Sequence, residues 1–118
     1  MKVKTIAELL EADVVCGEDK LETEVKSACG CDMMSDVLAF VKDQAVLLTG
    51  LCNLQVVRTA EMMDMRCIVF VRGKKPTEEI IEMARECGIV VLTTGMRMYL
   101  ACGLLYSNGL HGGVHTLN

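Results

Sequence analysis

The sequence predicts an α/β fold of three layers, a βαβαβ arrangement whose mainly parallel sheet is flanked by helices. The prediction depends on a strand, a glycine and a helix that follow one another three times between Ala45 and Tyr106. The closing glycines are Gly50, Gly73 and Gly95, at spacings of 23 and 22 residues. Repeats of this length are typical of linked βαβ units, which place their strands in parallel.

The first 44 residues carry weaker patterns, which we expect to pack on the βαβαβ part. Thr5 and Glu8 have the spacing of a capping box, so we expect a short helix over residues 5–12. Apolar runs predict strands over residues 14–16 and 25–29, with a linker at 21–24. Apolar positions at helical spacing predict a helix over residues 33–41, capped by Asp32 or Ser35.

The later helices have clear start and stop residues. Asn53 and Thr77 are suitable N-caps, and Gly88 is placed to end the helix that begins at Thr77. The last helix is expected over residues 96–106, and residues 107–118 are expected to form a flexible surface tail. Nothing in the composition divides the chain, so we predict a single domain over residues 1–118.

Composition excludes several classes of function. The net charge is -4 and there are only two Phe, two Tyr and no Trp, which argues against a nucleic-acid partner. No apolar run reaches the ~18 residues that a membrane span needs, so we expect a cytoplasmic protein with no membrane partner. Seven cysteines, an odd number within apolar patterns, indicate reduced thiols rather than disulfides.

The predicted site lies at the carboxyl ends of the parallel strands, where loop amides and helix starts converge in open α/β sheets. These loops combine glycines, hydroxyls and positive charge, including Lys74 and Lys75, which suits a small anionic ligand or a nucleotide. In the alternative interpretation the same residues only close strands, cap helices and keep the loops soluble. The candidate ligand-binding residues are Thr49, Gly50, Cys52, Asn53, Arg72, Gly73, Thr93, Thr94, Gly95 and Arg97.

No catalytic motif is found. The stretch Gly73-Lys74-Lys75 lacks the earlier glycine of a P-loop, since Ile68 stands there within a strand. A metal site on Cys29, Cys31 and Cys52 is a less favoured alternative, because the usual frameworks need four closely spaced thiolates. His111 and His115 lie on a Gly-Gly segment that does not aim them at one ion. We therefore predict no catalytic residues, no metal and no cofactor.

Several segments together resemble the DRTGG domain family. They are residues 4–10, 14–17, 31–38, 47–50 and 67–73. The chain departs from the family's motifs, having Leu51 and Cys52 where Asp-Arg is expected and Val71-Arg72-Gly73 where Thr-Gly-Gly is expected. The family also occurs in some phosphate acetyltransferases and CBS-domain pyrophosphatases, and its fold is related to the N-terminal domain of HPr kinase/phosphorylase.

The resemblance implies a regulatory or dimerising module. We accordingly predict a non-enzymatic domain that binds a small anionic ligand, such as a nucleotide, and forms a homodimer. Stand-alone domains of this kind occur near redox and hydrogenase genes in anaerobes. The alternative function is therefore a scaffold or accessory protein in a redox enzyme complex of the hydrogenase type.

Overall fold

A computed structural model describes residues 1–40 and 44–112. Its centre is a five-stranded sheet in the order β1-β5-β4-β3-β2, in which β1 is antiparallel to β5 and the other neighbours are parallel. The strands are β1 (Asp13–Cys16), β2 (Ser27–Gly30), β3 (Ala45–Thr49), β4 (Cys67–Phe70) and β5 (Val90–Thr93). The helices are α1 (Val3–Leu9), α2 (Met34–Phe40), α3 (Leu54–Met62), α4 (Glu78–Cys87) and α5 (Met98–Ser107), with a 3-10 turn at Glu18–Lys20.

Helices cover both faces of the sheet, which confirms the predicted three layers. Side chains of β3 and β4 alternate between the faces, with Leu47 and Ile68 on one and Val46 and Val69 on the other. The first face packs against α2, α3 and α4, and the second packs against α1 and α5. Strands covered on both sides are uniformly apolar, as β3 and β4 are.

The predicted helix caps of the βα units are present. The Asn53 side chain accepts a hydrogen bond from the amide of Val56 at 3.2 Å, and Thr77 accepts one from Ile80 at 3.4 Å. Gly88 ends α4 in the left-handed conformation, with φ of 70°. These local signals fix where α3 and α4 begin, and therefore how far the loops before them extend.

The start of α1 differs from the predicted capping box. The helix begins at Val3, so Thr5 lies inside it, and its N-cap residue Lys2 makes no side-chain capping bond. The amides of Val3 and Lys4 instead donate to the carbonyls of Thr23 and Leu21, at 3.0 and 2.9 Å. The predicted linker at 21–24 thus satisfies the first helical amides, and a side-chain cap at Thr5 is not needed.

The second strand and the segment after α5 also differ from expectation. The strand lies at Ser27–Gly30, slightly later than predicted. Leu110 is buried, and the carbonyl of His111 accepts a hydrogen bond from the amide of Ala28 at 2.8 Å, so the beginning of the expected tail packs against β2. Residues 113–118, including His115, lie outside the described part. Within the described residues no helix is long and apolar enough to cross a bilayer.

Candidate functional site

The loops that follow β3, β4 and β5 lie side by side on one rim of the sheet. The amide of Val71 donates to the carbonyl of Thr49 at 3.0 Å, which joins the first two loops. The amides of Arg72 and Gly73 donate to the carbonyls of Met96 and Thr94, at 2.8 and 2.9 Å, which joins the second loop to the third. The three loops predicted to share a ligand are therefore contiguous.

The β3 loop is held by a carboxylate from the end of β2. Asp32 Oδ1 accepts hydrogen bonds from the Thr49 hydroxyl at 2.9 Å and from the Gly50 amide at 2.7 Å. Thr49 is fully buried, and its hydroxyl also accepts a bond from the amide of Leu51 at 3.1 Å. The bond from Gly50 is the main reason that the pKa of Asp32 lies below its ordinary value. Thr49 and Gly50 therefore shape the rim through Asp32.

Arg72 extends across this rim from β4 towards β2. Its backbone is left-handed, with φ of 62°, and its guanidinium lies directly against Gly50, where any side chain would collide with it. The Arg72 Nη2 atom is 4.0 Å from Asp32 Oδ2, and the Arg72 side chain is 48% exposed. The absence of a side chain at Gly50 thus creates the space in which a cationic group is held at the surface of the rim.

The β5 loop contributes one buried and several exposed groups. The buried Thr94 hydroxyl donates to the carbonyl of Leu10 at 2.7 Å and accepts from the amide of Met96 at 3.2 Å, so it anchors the loop. Gly95 is exposed, and open space surrounds it. Arg97 is exposed at the N-cap of α5, and its side chain makes no capping hydrogen bond. This end of α5 therefore presents both donor amides and a positive charge.

A crevice of about 200 Å³ lies between the β4 and β5 loops. The chain leaves the β4 loop towards α4 on one face of the sheet and the β5 loop towards α5 on the other, as at the ligand crevices of other α/β sheets. Two lysines and two carboxylates give it mixed charge. Its lining residues are Glu11, Asp13, Gly73, Lys74, Lys75, Thr93, Thr94 and Gly95.

A second depression of about 430 Å³ lies between the starts of α3 and α4. It is lined by Cys52, Asn53, Leu54, Gln55, Thr77, Glu79 and Ile80. Burial raises the pKa of Cys52, and the positive charge of Lys74 opposes this shift. Lys74, which lines the crevice, therefore also acts electrostatically on a residue of the second depression.

The predicted residues thus fall into three groups along the rim, with Arg97 standing apart from them. Gly73, Thr93, Thr94 and Gly95 line the crevice, and Cys52 and Asn53 line the second depression. Thr49, Gly50 and Arg72 meet at Asp32, and Arg97 stands at the start of α5. The sequence offered Asp32, or alternatively Ser35, only as the cap of α2, and Glu11 and Asp13 were not among the predicted residues. The available signal for Asp32 was a carboxylate two residues after the strand β2.

The cysteines proposed for a metal site do not converge. Cys29, Cys31 and Cys52 all pack against the same face of the sheet, and Cys52 also lines the depression beside α3. The pKa of Cys29 is raised to about 11, first by burial and then by the neighbouring thiols of Cys31 and Cys102. Among the residues described, no three His, Cys, Asp or Glu side chains are grouped in a way that could hold a metal ion.

Comparison with known proteins identifies relatives of this fold. The family model of the DRTGG domain matches residues 5–104. A similar solved structure is that of the CBS and DRTGG domains of the regulatory region of Clostridium perfringens pyrophosphatase, complexed with the activator diadenosine tetraphosphate. The TM-score is 0.70 at 18% identity, over 88% of this chain and 45% of the other. The chain therefore spans less than half of that regulatory region. No curated protein matches the chain.

Proposed function

The chain belongs to the DRTGG domain family, and we propose that it is a non-catalytic regulatory domain that binds a small anionic ligand, such as a nucleotide, on the rim formed by the β3, β4 and β5 loops. The similar pyrophosphatase region is regulatory and carries a nucleotide activator. That region also contains CBS domains, so the proposal for this chain depends on its own rim.

The observation that carries the proposal is the position of Arg72. Arg72 packs against a glycine, is half exposed and lies 4.0 Å from a carboxylate, so its guanidinium is presented to solvent on the rim. A guanidinium binds phosphate or carboxylate with two parallel hydrogen bonds. Lys74, Lys75 and Arg97 are exposed on the same rim, so further positive charge surrounds that position.

The shape of the rim favours a ligand larger than a free ion. Pockets for small molecules commonly enclose about 300–1,000 Å³, and the crevice and the second depression measure about 200 and 430 Å³. The second depression includes the aliphatic side chains of Leu54 and Ile80. A molecule with an anionic end at Arg72 and Lys74 and a less polar end between α3 and α4 would use both.

The titratable groups support a role in binding rather than in catalysis. A catalytic thiol needs a lowered pKa, because the thiolate is the nucleophile. Every resolved shift of a cysteine pKa here is upward, including that of Cys52 beside the rim. The pKa of Asp32 is lowered, which keeps the carboxylate ionised at neutral pH and suits a structural acceptor.

Isothermal titration calorimetry with ATP, ADP, diadenosine tetraphosphate and pyrophosphate tests the proposal. At least one of these probes should bind, and Arg72→Ala should weaken its binding about ten- to a hundredfold, as expected for the loss of charged hydrogen bonds worth about 1.5–3 kcal/mol. Arg66→Ala is a matched control, because Arg66 is also 48% exposed and pairs with Asp64 at 3.1 Å. Arg66 precedes β4 at its opposite end. Equal weakening in both variants, or no binding of any probe, would contradict the proposal.

We further propose that the domain works in the cytoplasm as a homodimer. The alternative role, as a scaffold in a redox enzyme complex, needs an adhesive surface and no ligand. The exposed apolar side chains of α5 favour an interaction of either kind. Co-purification from the native host distinguishes the two, because a scaffold would bring redox subunits with it whereas the regulatory dimer would not require them.

A further inference from the structure

Four charged side chains line the crevice between the β4 and β5 loops without pairing with one another. Glu11 and Asp13 come from the end of α1 and the start of β1, and Lys74 and Lys75 come from the β4 loop. All four are exposed, and in the part of the chain that the structure describes none of them takes part in an ion pair. Charges of both signs therefore remain available to a ligand.

The order of the strands places the carboxylates and the lysines on either side of the end of β5. Asp13 is paired with Thr93 across β1 and β5, and β4 lies on the other side of β5. The Thr94 hydroxyl donates to the carbonyl of Leu10 at 2.7 Å, and the amide of Gly73 donates to the carbonyl of Thr94 at 2.9 Å. These bonds tie the segments on both sides of the crevice to the β5 loop.

The space between the carboxylates and the lysines is not filled by the protein. A side chain added at Gly73 or Gly95 would meet no atom within 4 Å, so open space adjoins both glycines. The volume of about 200 Å³ has room for roughly six waters at ~30 Å³ each. That is enough for a sugar ring with its hydroxyl groups, and too little for a whole nucleotide.

The two carboxylates restrict the kind of anion that can enter. A ligand with negative charge alone is attracted by Lys74 and Lys75 and repelled by Glu11 and Asp13. A ligand with hydroxyl groups beside its anionic group avoids this conflict, because each hydroxyl donates a charge-assisted hydrogen bond to a carboxylate. A ligand ammonium group would be repelled by the two lysines, whereas a neutral hydroxyl is not.

We propose that the crevice selects sugar phosphates, including the ribose phosphate of a nucleotide. Glu11 and Asp13 accept hydrogen bonds from neighbouring sugar hydroxyls, and Lys74 and Lys75 bind the phosphate. The inference rests on the proposed function, since it names the class of anionic ligand that the rim binds. It makes Glu11 and Asp13 specificity residues that favour hydroxylated ligands over bare phosphates and carboxylates.

Isothermal titration calorimetry with ATP, 2′,3′-dideoxy-ATP and inorganic triphosphate tests the inference. The first two probes differ only in the ribose hydroxyls, and the third has no sugar. The wild-type chain should bind ATP at least about tenfold more tightly than 2′,3′-dideoxy-ATP, as expected for hydrogen bonds to charged groups. Asp13→Asn should reduce this preference and should bind inorganic triphosphate more tightly than wild type does, because a repelling charge is removed.

Glu86→Gln is the matched control, because it also removes one negative charge from an exposed residue, in the last turn of α4 at the opposite end of the sheet. It should leave the preference for ATP unchanged. Asp13 is exposed and at the first position of β1, so Asp13→Asn should unfold in urea as wild type does.

Equal affinity of the wild-type chain for ATP and 2′,3′-dideoxy-ATP would overturn the inference and leave the proposed function in place. An Asp13→Asn variant that weakens all three probes alike would do the same, since a merely structural role predicts that result. If none of these probes and no pyrophosphate binds the wild-type chain, the proposed function fails as well. The two failures are therefore distinguishable.

Discussion

Replacing Gly50 with alanine should weaken ligand binding without unfolding the domain. An ideal Cβ at Gly50 would lie 2.7 Å from both Cζ and Nε of Arg72. Favourable contacts between heavy atoms begin at about 3.5 Å, so the guanidinium must move by roughly 1 Å or more. Arg72 is at the end of a flexible, half-exposed side chain, and it can therefore leave while its backbone stays bonded to Met96.

The expected change in stability is small because two effects oppose each other. The ion pair between Arg72 and Asp32 is exposed and worth about 0–1 kcal/mol. Alanine restricts the unfolded chain and recovers about 0.4–1 kcal/mol, since Gly50 does not adopt a left-handed φ. The free energy of unfolding, measured in urea, should thus remain within about 1 kcal/mol of the wild-type value.

Ligand affinity should fall much more than stability. Displacing Arg72 removes charged hydrogen bonds to the ligand worth about 1.5–3 kcal/mol, so Kd should rise about ten- to a hundredfold. Gly50→Ala combined with Arg72→Ala should bind no more weakly than Arg72→Ala alone, because both act through one side chain. Wild-type affinity in a normally stable Gly50→Ala protein, or additive losses in the double variant, would show that Gly50 does not act through Arg72.

Two further predictions concern the carboxylates of Asp32 and Glu61. Asp32→Ala should lower the free energy of unfolding by about 1–2 kcal/mol, because the buried Thr49 hydroxyl loses its acceptor. The pKa of Asp32 is lowered by folding, so the contribution of Asp32 to the free energy of unfolding is present above pH ~4 and disappears as pH falls through the lowered pKa. Urea melts of wild type and variant should therefore converge in acid. The Cys87 thiol donates to Glu61 at 2.7 Å, which raises its pKa to about 11. Glu61→Gln should lower that pKa and speed alkylation of Cys87 by iodoacetamide at pH 8, by up to about a hundredfold. Peptide mass spectrometry measures the rate of alkylation. An unchanged rate would contradict the hydrogen bond to Glu61 as the cause of the raised pKa.

The parts of the fold that are encoded locally could be predicted from the sequence. The caps at Asn53 and Thr77 and the glycine at Gly88 lie within a few residues of the groups they satisfy, so the boundaries of α3 and α4 were visible. The uniformly apolar β3 and β4 likewise identified the centre of the sheet. Periodicity and capping are short-range properties, and they require no knowledge of the tertiary structure.

Features that depend on distant partners could not be predicted. The amides at the start of α1 are satisfied by Leu21 and Thr23, which no local pattern reveals. Pairing of β1 with β5 and of Ala28 with His111 joins segments far apart in the chain. These contacts follow from how the sheet is assembled.

In the candidate site, the sequence identified the loops but not their internal contacts. The adjacency of the three loops follows from parallel strands, and it was predicted. The bond between Asp32 and the β3 loop depends on β2 lying beside β3. Arg72 occupies the space beside Gly50 with a backbone whose φ is left-handed, which is uncommon for a residue other than glycine. For Asp32 the sequence offers only a carboxylate shortly after a strand, and for the contact of Arg72 with Gly50 it offers no signal.

A map of backbone amide chemical shifts during titration with ATP tests directly whether the rim binds the ligand. The shifts should be concentrated at Gly50, at residues 72–75 and at residues 94–97, and they should be lost in Arg72→Ala. Shifts confined to the opposite end of the sheet, around Lys20 and Arg85, or an unchanged spectrum at saturating ATP and diadenosine tetraphosphate, would contradict it.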